Sequence, residues 1–234
     1  MAEAPRWIVA DDLVAAGAQA LIEALRAADV ARRGGRVRLG IPGGSALAAA
    51  VAARPALGDA LWARVALAFV DERRVDAADP ASNFGAAQRA GLFDHGEPAA
   101  VLRLVLDGEP VADALARVQA AFAADFGGAL DVVLLGLGPD GHVASLFPGA
   151  PWPTGVAGFV PDAPKPPPER LTLSRAALAT ARATVIVAGG ADKRRALARL
   201  RAGDPALPAV GLPGLVVVTD RPGLPEGPTL EHEQ

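Results

Sequence analysis

The stretch LLGLGPDGHVASLFPG, residues 134–149, closes an apolar run with glycines, an aspartate and one of only three histidines in the chain. Asp140, Gly141 and His142 stand where a strand should give way to a turn. A histidine there, beside an acid and flexible glycines, suits a general base. A histidine that only satisfies a tight turn is the competing reading. A metal centre is poorly supplied, because no His-x-x-His or His-Glu spacing accompanies His142 and the chain has no cysteine. The lack of cysteine also removes disulfides and thiol catalysis.

Three other stretches place reactive residue types after apolar runs. In IPGGSALAAA (41–50), Gly43 and Gly44 let the backbone approach a ligand, and Ser45 is placed to cap the following helix, whose first N–H groups suit a phosphate. A simple glycine turn explains the same letters. It is not a Walker A loop, and GLGPDG (136–141) fits Gly-x-Gly-x-x-Gly without standing at a first strand. In FVDERRV (69–75), Asp71 and Glu72 point opposite ways if extended, so at most one should face a ligand. Arg73 offers a fork of donors to a phosphate, unless these charges are only solvated. In AGGADKRRA (188–196), Lys193 falls in the first turn of a helix, where a cation opposes the macrodipole. An intervening anion would explain it, as would a solvated surface lysine.

The elements that must carry these groups are legible as short β-branched runs alternating with Ala-rich segments. Residues 6–10, 36–40, 64–70, 100–105, 131–138, 183–190 and 215–220 read as strands, and 12–33, 45–54, 111–126 and 191–203 as helices. Strands apolar on both faces and alternating with helices imply a mostly parallel sheet covered on both sides. Residues 82–93 are expected to form a helix weakened by Gly85, and 170–174 a short strand whose Ser174 caps a further helix. Residues 148–170 are too rich in Pro and Gly for a regular element and read as a long loop, either functional, as a lid or binding loop, or a disordered insert. The tail, 221–234, is expected to fray. In an open parallel sheet ligands gather beyond the carboxyl ends of the strands, which is where all four stretches fall.

The 234 residues fit one large α/β domain or two small ones. At 51% hydrophobic and net charge −3 the chain can build a core but offers no broad basic surface for nucleic acid. No apolar run reaches membrane-spanning length and the first residues lack a signal-peptide layout, so a soluble cytoplasmic protein is expected.

Taken together, GGS (43–45), VDERRV (70–75) with SNFGAAQRAGLF (82–93), DVVLLGLGPDGHVASLFPG (131–149), PKPPPERLTLS (164–174) and GGADKRRAL (189–197) resemble the lactonase branch of the glucosamine-6-phosphate isomerase/6-phosphogluconolactonase superfamily. The resemblance implies one domain over 1–234, a three-layer α/β sandwich with a mostly parallel, Rossmann-like central sheet. It implies hydrolysis of 6-phospho-D-glucono-1,5-lactone in the oxidative pentose phosphate pathway, with no metal or organic cofactor. His142 maps to the family's base, and Gly43, Gly44, Ser45, Arg73 and Lys193 to its phosphate contacts. Asp71 and Asp140 map to acids lining the pocket, and Lys165 and Arg170 become candidate substrate contacts. The implied partner is a small sugar-phosphate lactone, without nucleic acid or membrane; a monomer is expected, with a homodimer as the alternative. The isomerase branch continues past its histidine to an Asn-Glu-Pro element. Here SLFPG follows, and no carboxylate appears until Asp162. The family's Ser-Gly-Gly-Ser-Thr-Pro loop reads PGGSAL, with Pro42, Ala46 and Leu47 as departures, and Val143 replaces a threonine. The phosphate cradle should therefore depend more on backbone donors.

Overall fold

The computed structural model describes residues 4–224. In chain order they form β1 (Arg6–Val9), α1 (Leu13–Arg32), β2 (Val37–Ile41), α2 (Leu47–Leu57), α3 (Asp59–Trp62), β3 (Val65–Phe69), β4 (Asp71–Arg73), α4 (Asn83–Arg89), β5 (Ala100–Leu102), α5 (Val111–Phe126), β6 (Val132–Leu135), β7 (Ala157–Val160), β8 (Arg170–Leu173), α6 (Arg175–Leu178), β9 (Ala183–Val187), α7 (Arg194–Arg201) and β10 (Leu215–Thr219). Seven strands pair in the order β1-β10-β9-β6-β2-β3-β5, every pair parallel.

Period-two geometry divides each central strand between two cores. Leu39, Ile41, Val132 and Leu134 join the residues of α1 and α2 on one face, while Val133 and Leu135 join those of α5 and α7 on the other. This makes the expected three-layer sandwich, and it explains why β2, β3 and β6 read as unbroken apolar runs rather than alternating ones. Close approach of α1 depends on Gly17, where a Cβ would lie 2.6 Å from Val187 Cγ2 and 3.1 Å from the Ala49 methyl. Asp12 caps α1 by accepting from Ala15 N at 2.9 Å, and Ser174 caps α6 from Ala177 N at 3.0 Å, the latter as expected.

One expectation is corrected. Residues 148–170 do contain a strand, β7, which pairs antiparallel with β8; β8 pairs in turn with β4, giving a second, three-stranded sheet. The Pro- and Gly-rich composition belongs to the segments flanking β7, and Gly158 within it packs on the Pro153 ring. The glycine at position 85 in α4 is required for space: its Cα lies against the Ala77 carbonyl, leaving no room for a side chain. Of the tail, 221–224 form a turn in which Gly223 N donates to Asp220 Oδ1 at 2.7 Å, and the remainder lies outside the described residues. Among the described residues no helix is long and apolar enough to cross a membrane.

Candidate active site

Strands β9, β6, β2 and β3 are neighbours, and the segments leaving their carboxyl ends converge on one cleft of about 260 Å³. Chain order reverses between β6 and β2, the switch point at which open parallel sheets leave a crevice. Gly43, Gly44 and Ser45 line the cleft after β2, Asp71 and Arg73 after β3, His142 after β6, and Lys193 after β9; Lys165 and Arg170 approach from the small sheet. Every candidate except Asp140 lines this space, and Asp140 touches it through His142.

The turn after β6 is shaped by its own backbone: Gly138 N donates to the His142 carbonyl at 2.8 Å and Gly141 N to the Gly138 carbonyl at 2.9 Å. Gly141 has φ +97, a conformation that favours glycine. His142 Nδ1 lies 2.6 Å from Asp140 Oδ1, and that oxygen also accepts from His142 N at 3.3 Å. Asp140 thus orients the ring and closes the turn at once. In a neutral ring, a carboxylate on Nδ1 favours the tautomer with the proton there, which leaves the lone pair on Nε2. Burial opposes the charge of Asp140, but the hydrogen bonds and charge of His142 outweigh it and hold the carboxyl below its usual value. The ring is flanked by Phe147, centroids 4.8 Å apart, and Phe147 in turn underlies the Arg170 guanidinium at 5.9 Å.

The opposite wall is cationic. Arg73 and Arg170 are direct register partners across β4 and β8. Like charges placed opposite one another destabilise a strand pair unless something negative joins them. Burial, and then Arg73, lowers the pKa of Arg170, with Asp71 opposing. Arg170 is buried and donates to the carbonyls of Lys165 (2.8 Å) and Pro167 (3.2 Å), so it also staples the Lys165 segment beside the cleft. Lys193 Nζ lies 3.2 Å from Asp192 Oδ2. It ends a 3-10 turn, Ala191–Lys193, before α7 begins at Arg194, rather than lying inside the helix.

Asp71 and Glu72 do part company. Asp71 faces the cleft, accepting from Ser145 Oγ at 2.7 Å and Asn83 Nδ2 at 3.1 Å. Glu72 turns away and gathers the start of α4, accepting from Arg73 N, Asn83 N, Phe84 N and Ser82 Oγ at 2.7–3.2 Å. Burial pushes its carboxyl above the ordinary value, those N–H groups pull it back, and the charge of Asp71 adds to the rise.

Sequence reasoning missed Asn83, Ser145 and Phe147. Asn83 lines the cleft, and its amide occupies the space a Cβ on Gly43 would need. Ser145 meets Asp71 from 74 positions away, a pairing no local pattern announces. Ser45 makes no capping bond; it lies within the 3-10 turn Gly44–Ala46 and lines the cleft. The N–H groups of Gly138, Gly141 and His142 are spent inside their own turn. Pro42 and Ala46 line the cleft, whereas Val143 is buried in the core on the α5 side. Among the described residues no three His, Asp or Glu side chains gather as a metal ion would require.

Residues 9–217 match the family model of glucosamine-6-phosphate isomerases/6-phosphogluconolactonase. The chain is 37% identical over 213 residues to a 6-phosphogluconolactonase of Caulobacter vibrioides, covering 86% of this chain and 88% of the relative. It is 35% identical over 187 residues to the 6-phosphogluconolactonase of Rattus norvegicus, covering 75% and 73%. Among solved structures, a 6-phosphogluconolactonase of Thermotoga maritima superposes with TM-score 0.77 at 22% identity, over 92% of this chain and 99% of that one. A monomeric glucosamine-6-phosphate deaminase superposes with TM-score 0.74 at 19% identity, over 93% and 98%. These superpositions show a shared fold, and the two sequence relatives carry the lactonase name.

Proposed function

From the membership of this chain in the glucosamine-6-phosphate isomerase/6-phosphogluconolactonase family, we infer that it hydrolyses 6-phospho-D-glucono-1,5-lactone to 6-phospho-D-gluconate, a step of the oxidative pentose phosphate pathway. The observation that carries the mechanistic reading is the 2.6 Å contact between His142 Nδ1 and Asp140 at the edge of a cation-rich cleft. In the neutral ring it leaves Nε2 as the proton acceptor.

His142 takes a proton from water as the water oxygen adds to the lactone carbonyl carbon. The tetrahedral intermediate then expels the ring oxygen, which receives that proton from the imidazolium, and the new carboxyl group ionises. Asp140 holds the ring in one tautomer and stabilises the cation between the two transfers. Arg73, Arg170, Lys193 and the Gly43–Ser45 loop hold the phosphate, with Lys165 beside the sugar. Their contribution is orientation: binding a remote dianion fixes the carbonyl relative to the base. Asp71 accepts from a sugar hydroxyl while Ser145 and Asn83 fix its rotamer.

The isomerase reading draws on the shared fold. It requires a second acid to relay the proton, and none follows His142 until Asp162. Purified protein offered 6-phosphogluconolactone and glucosamine 6-phosphate in separate reactions should accelerate lactone hydrolysis above its spontaneous rate and release no ammonia. Ammonia release without lactone hydrolysis would reverse the assignment. Replacing His142 by Ala should lower kcat by roughly 10²–10⁴ in a folded protein.

A further inference from the structure

The turn that carries the proposed base is held in shape from within, but its orientation is set from outside. Among the described residues, the hydrogen bond that leaves residues 138–142 for another element comes from α7: Arg199 Nη1 donates to the Asp140 carbonyl at 3.1 Å. Arg199 is itself fixed, since its Nε donates to Asp204 Oδ2 at 2.8 Å, and Asp204 Oδ1 accepts from Ala206 N at 3.0 Å. The Arg199 hydrogen bond, followed by that of Ala206, holds the Asp204 carboxyl below its usual value. The same 204–207 turn presents Leu207, which packs directly on the Cα of Gly141.

We propose that Arg199 is a positioning residue for the base, acting by clamping the Asp140 carbonyl so that the Asp140 carboxylate stays in line with His142 Nδ1. The physical reason is the two glycines. Gly138 and Gly141 bracket Pro139 and Asp140, and a glycine on either side lets this short segment rotate and carry the Asp140 carboxylate off His142 Nδ1. A contact from another element resists that rotation. Arg199 supplies a directional one through a planar fork that engages the Asp140 carbonyl and the Asp204 carboxylate together. α7 starts one residue after the cleft cation Lys193, so the helix that clamps the base follows directly on an anion contact. An error of about 1 Å at a reacting group can cost on the order of 10²-fold in rate, so this bond need not touch substrate to matter.

This inference rests on the reading of His142 as base, and the test separates the two. Arg199→Ala should lower kcat by about 5–50-fold and leave KM within about twofold, because the rotation spoils alignment rather than binding. In an Asp140→Ala background the same replacement should cost less than about twofold, since the carboxylate it aligns is gone. Equal losses in both backgrounds, a change in KM alone, or no loss at all would overturn the proposal. If Arg199→Ala fails to fold by thermal melting, Asp204→Asn loosens the arginine without removing it; a drop in kcat of about 2–5-fold at constant KM supports the clamp, and unchanged kcat sinks it. His142→Ala is measured alongside. Full activity there removes the base reading itself, whereas an inactive His142→Ala with a fully active Arg199→Ala removes only the clamp.

Discussion

The Cα of Gly138 lies directly beneath the His142 imidazole, so that a methyl group added to it would overlap Nδ1 and Cε1 and sit 2.6 Å from Asp140 Oδ1. The backbone at Gly138 is not in the left-handed region, so the requirement for glycine is one of space. Gly138→Ala must therefore push the ring off Asp140 or distort the turn. The expected outcome is a fall in kcat of about 10²-fold or more, approaching the loss of the base itself, with KM little changed. Overpacking should cost about 1–3 kcal/mol in stability. Lactone hydrolysis corrected for the spontaneous reaction, together with a urea melt, reads both; near-native kcat would show that the ring position is not needed.

Asp140 and His142 also make a pH prediction. The carboxyl of Asp140 titrates below its usual value in the folded protein, because the pull of His142 outweighs burial. A depressed carboxyl binds its proton less readily in the native state than in the unfolded one. Its stabilisation is therefore present above the unfolded value, about 3.9, and is lost as pH falls through the lower folded value. Urea midpoints of the native protein and of Asp140→Asn should differ at pH 6 and converge below about pH 3.9. A constant difference across that range would mean that Asp140 contributes packing and not charge. At neutral pH the Asn variant should also lose kcat by about tenfold or more, since an amide neither fixes the tautomer nor stabilises the imidazolium.

The parallel sheet and its helices were legible because their signals are local. Strands buried on both faces, such as VALAF in β3 and VVLL in β6, contrast with Ala-rich helices in composition alone. The second sheet was not legible, because its members hide in atypical sequence: β4 is the charged tripeptide Asp71–Arg73, and β7 lies between proline-rich segments. The pairing of β4 with β8 joins positions about 100 apart, Asp71 with Thr172, and β7 meets β8 only across the proline-rich residues between them. The same limit applied to the site. The opposite facing of Asp71 and Glu72 follows from strand geometry and could be read from two adjacent letters. The Asp71–Ser145 bond and the Arg199–Asp140 bond are products of the tertiary fold. The family resemblance gathered the cleft residues before any geometry did, but it could not name those that act through them.

Arg73 and Arg170, opposed in register on β4 and β8, should behave as half of an anion site. Without a ligand their charges repel, and a phosphate between them converts repulsion into charge-assisted hydrogen bonds. Inorganic phosphate should raise the thermal midpoint of the native protein, and raise it less in Arg73→Met and Arg170→Met. In turnover, each replacement should raise KM by about 10–150-fold, the equivalent of about 1.5–3 kcal/mol for hydrogen bonds to a charged group. Arg170→Met should in addition lower kcat, because the carbonyls of Lys165 and Pro167 lose their donor. A phosphate response identical in all three proteins would move the anion site elsewhere in the cleft.

Glu72 makes no contact with the cleft, yet it holds two residues that line it. Its carboxylate oxygens meet four donors: Oε1 takes Arg73 N and Asn83 N at 2.7 and 2.8 Å, and Oε2 takes Phe84 N and Ser82 Oγ at 2.8 and 3.2 Å. Glutamine has the same shape but one acceptor oxygen, so in either orientation its NH₂ group confronts two donors in a buried site. Ser82 Oγ can rotate away; the backbone N–H groups cannot. Glu72→Gln should therefore cost about 2–4 kcal/mol, one or two buried donors left unmet. Arg73 and Asn83 would shift with the start of α4, raising KM more than it lowers kcat. A urea titration gives the first number and steady-state kinetics the second. A change below about 0.5 kcal/mol would show that the start of α4 stands without this carboxylate, and that Asn83 and Arg73 owe their positions to β4 alone.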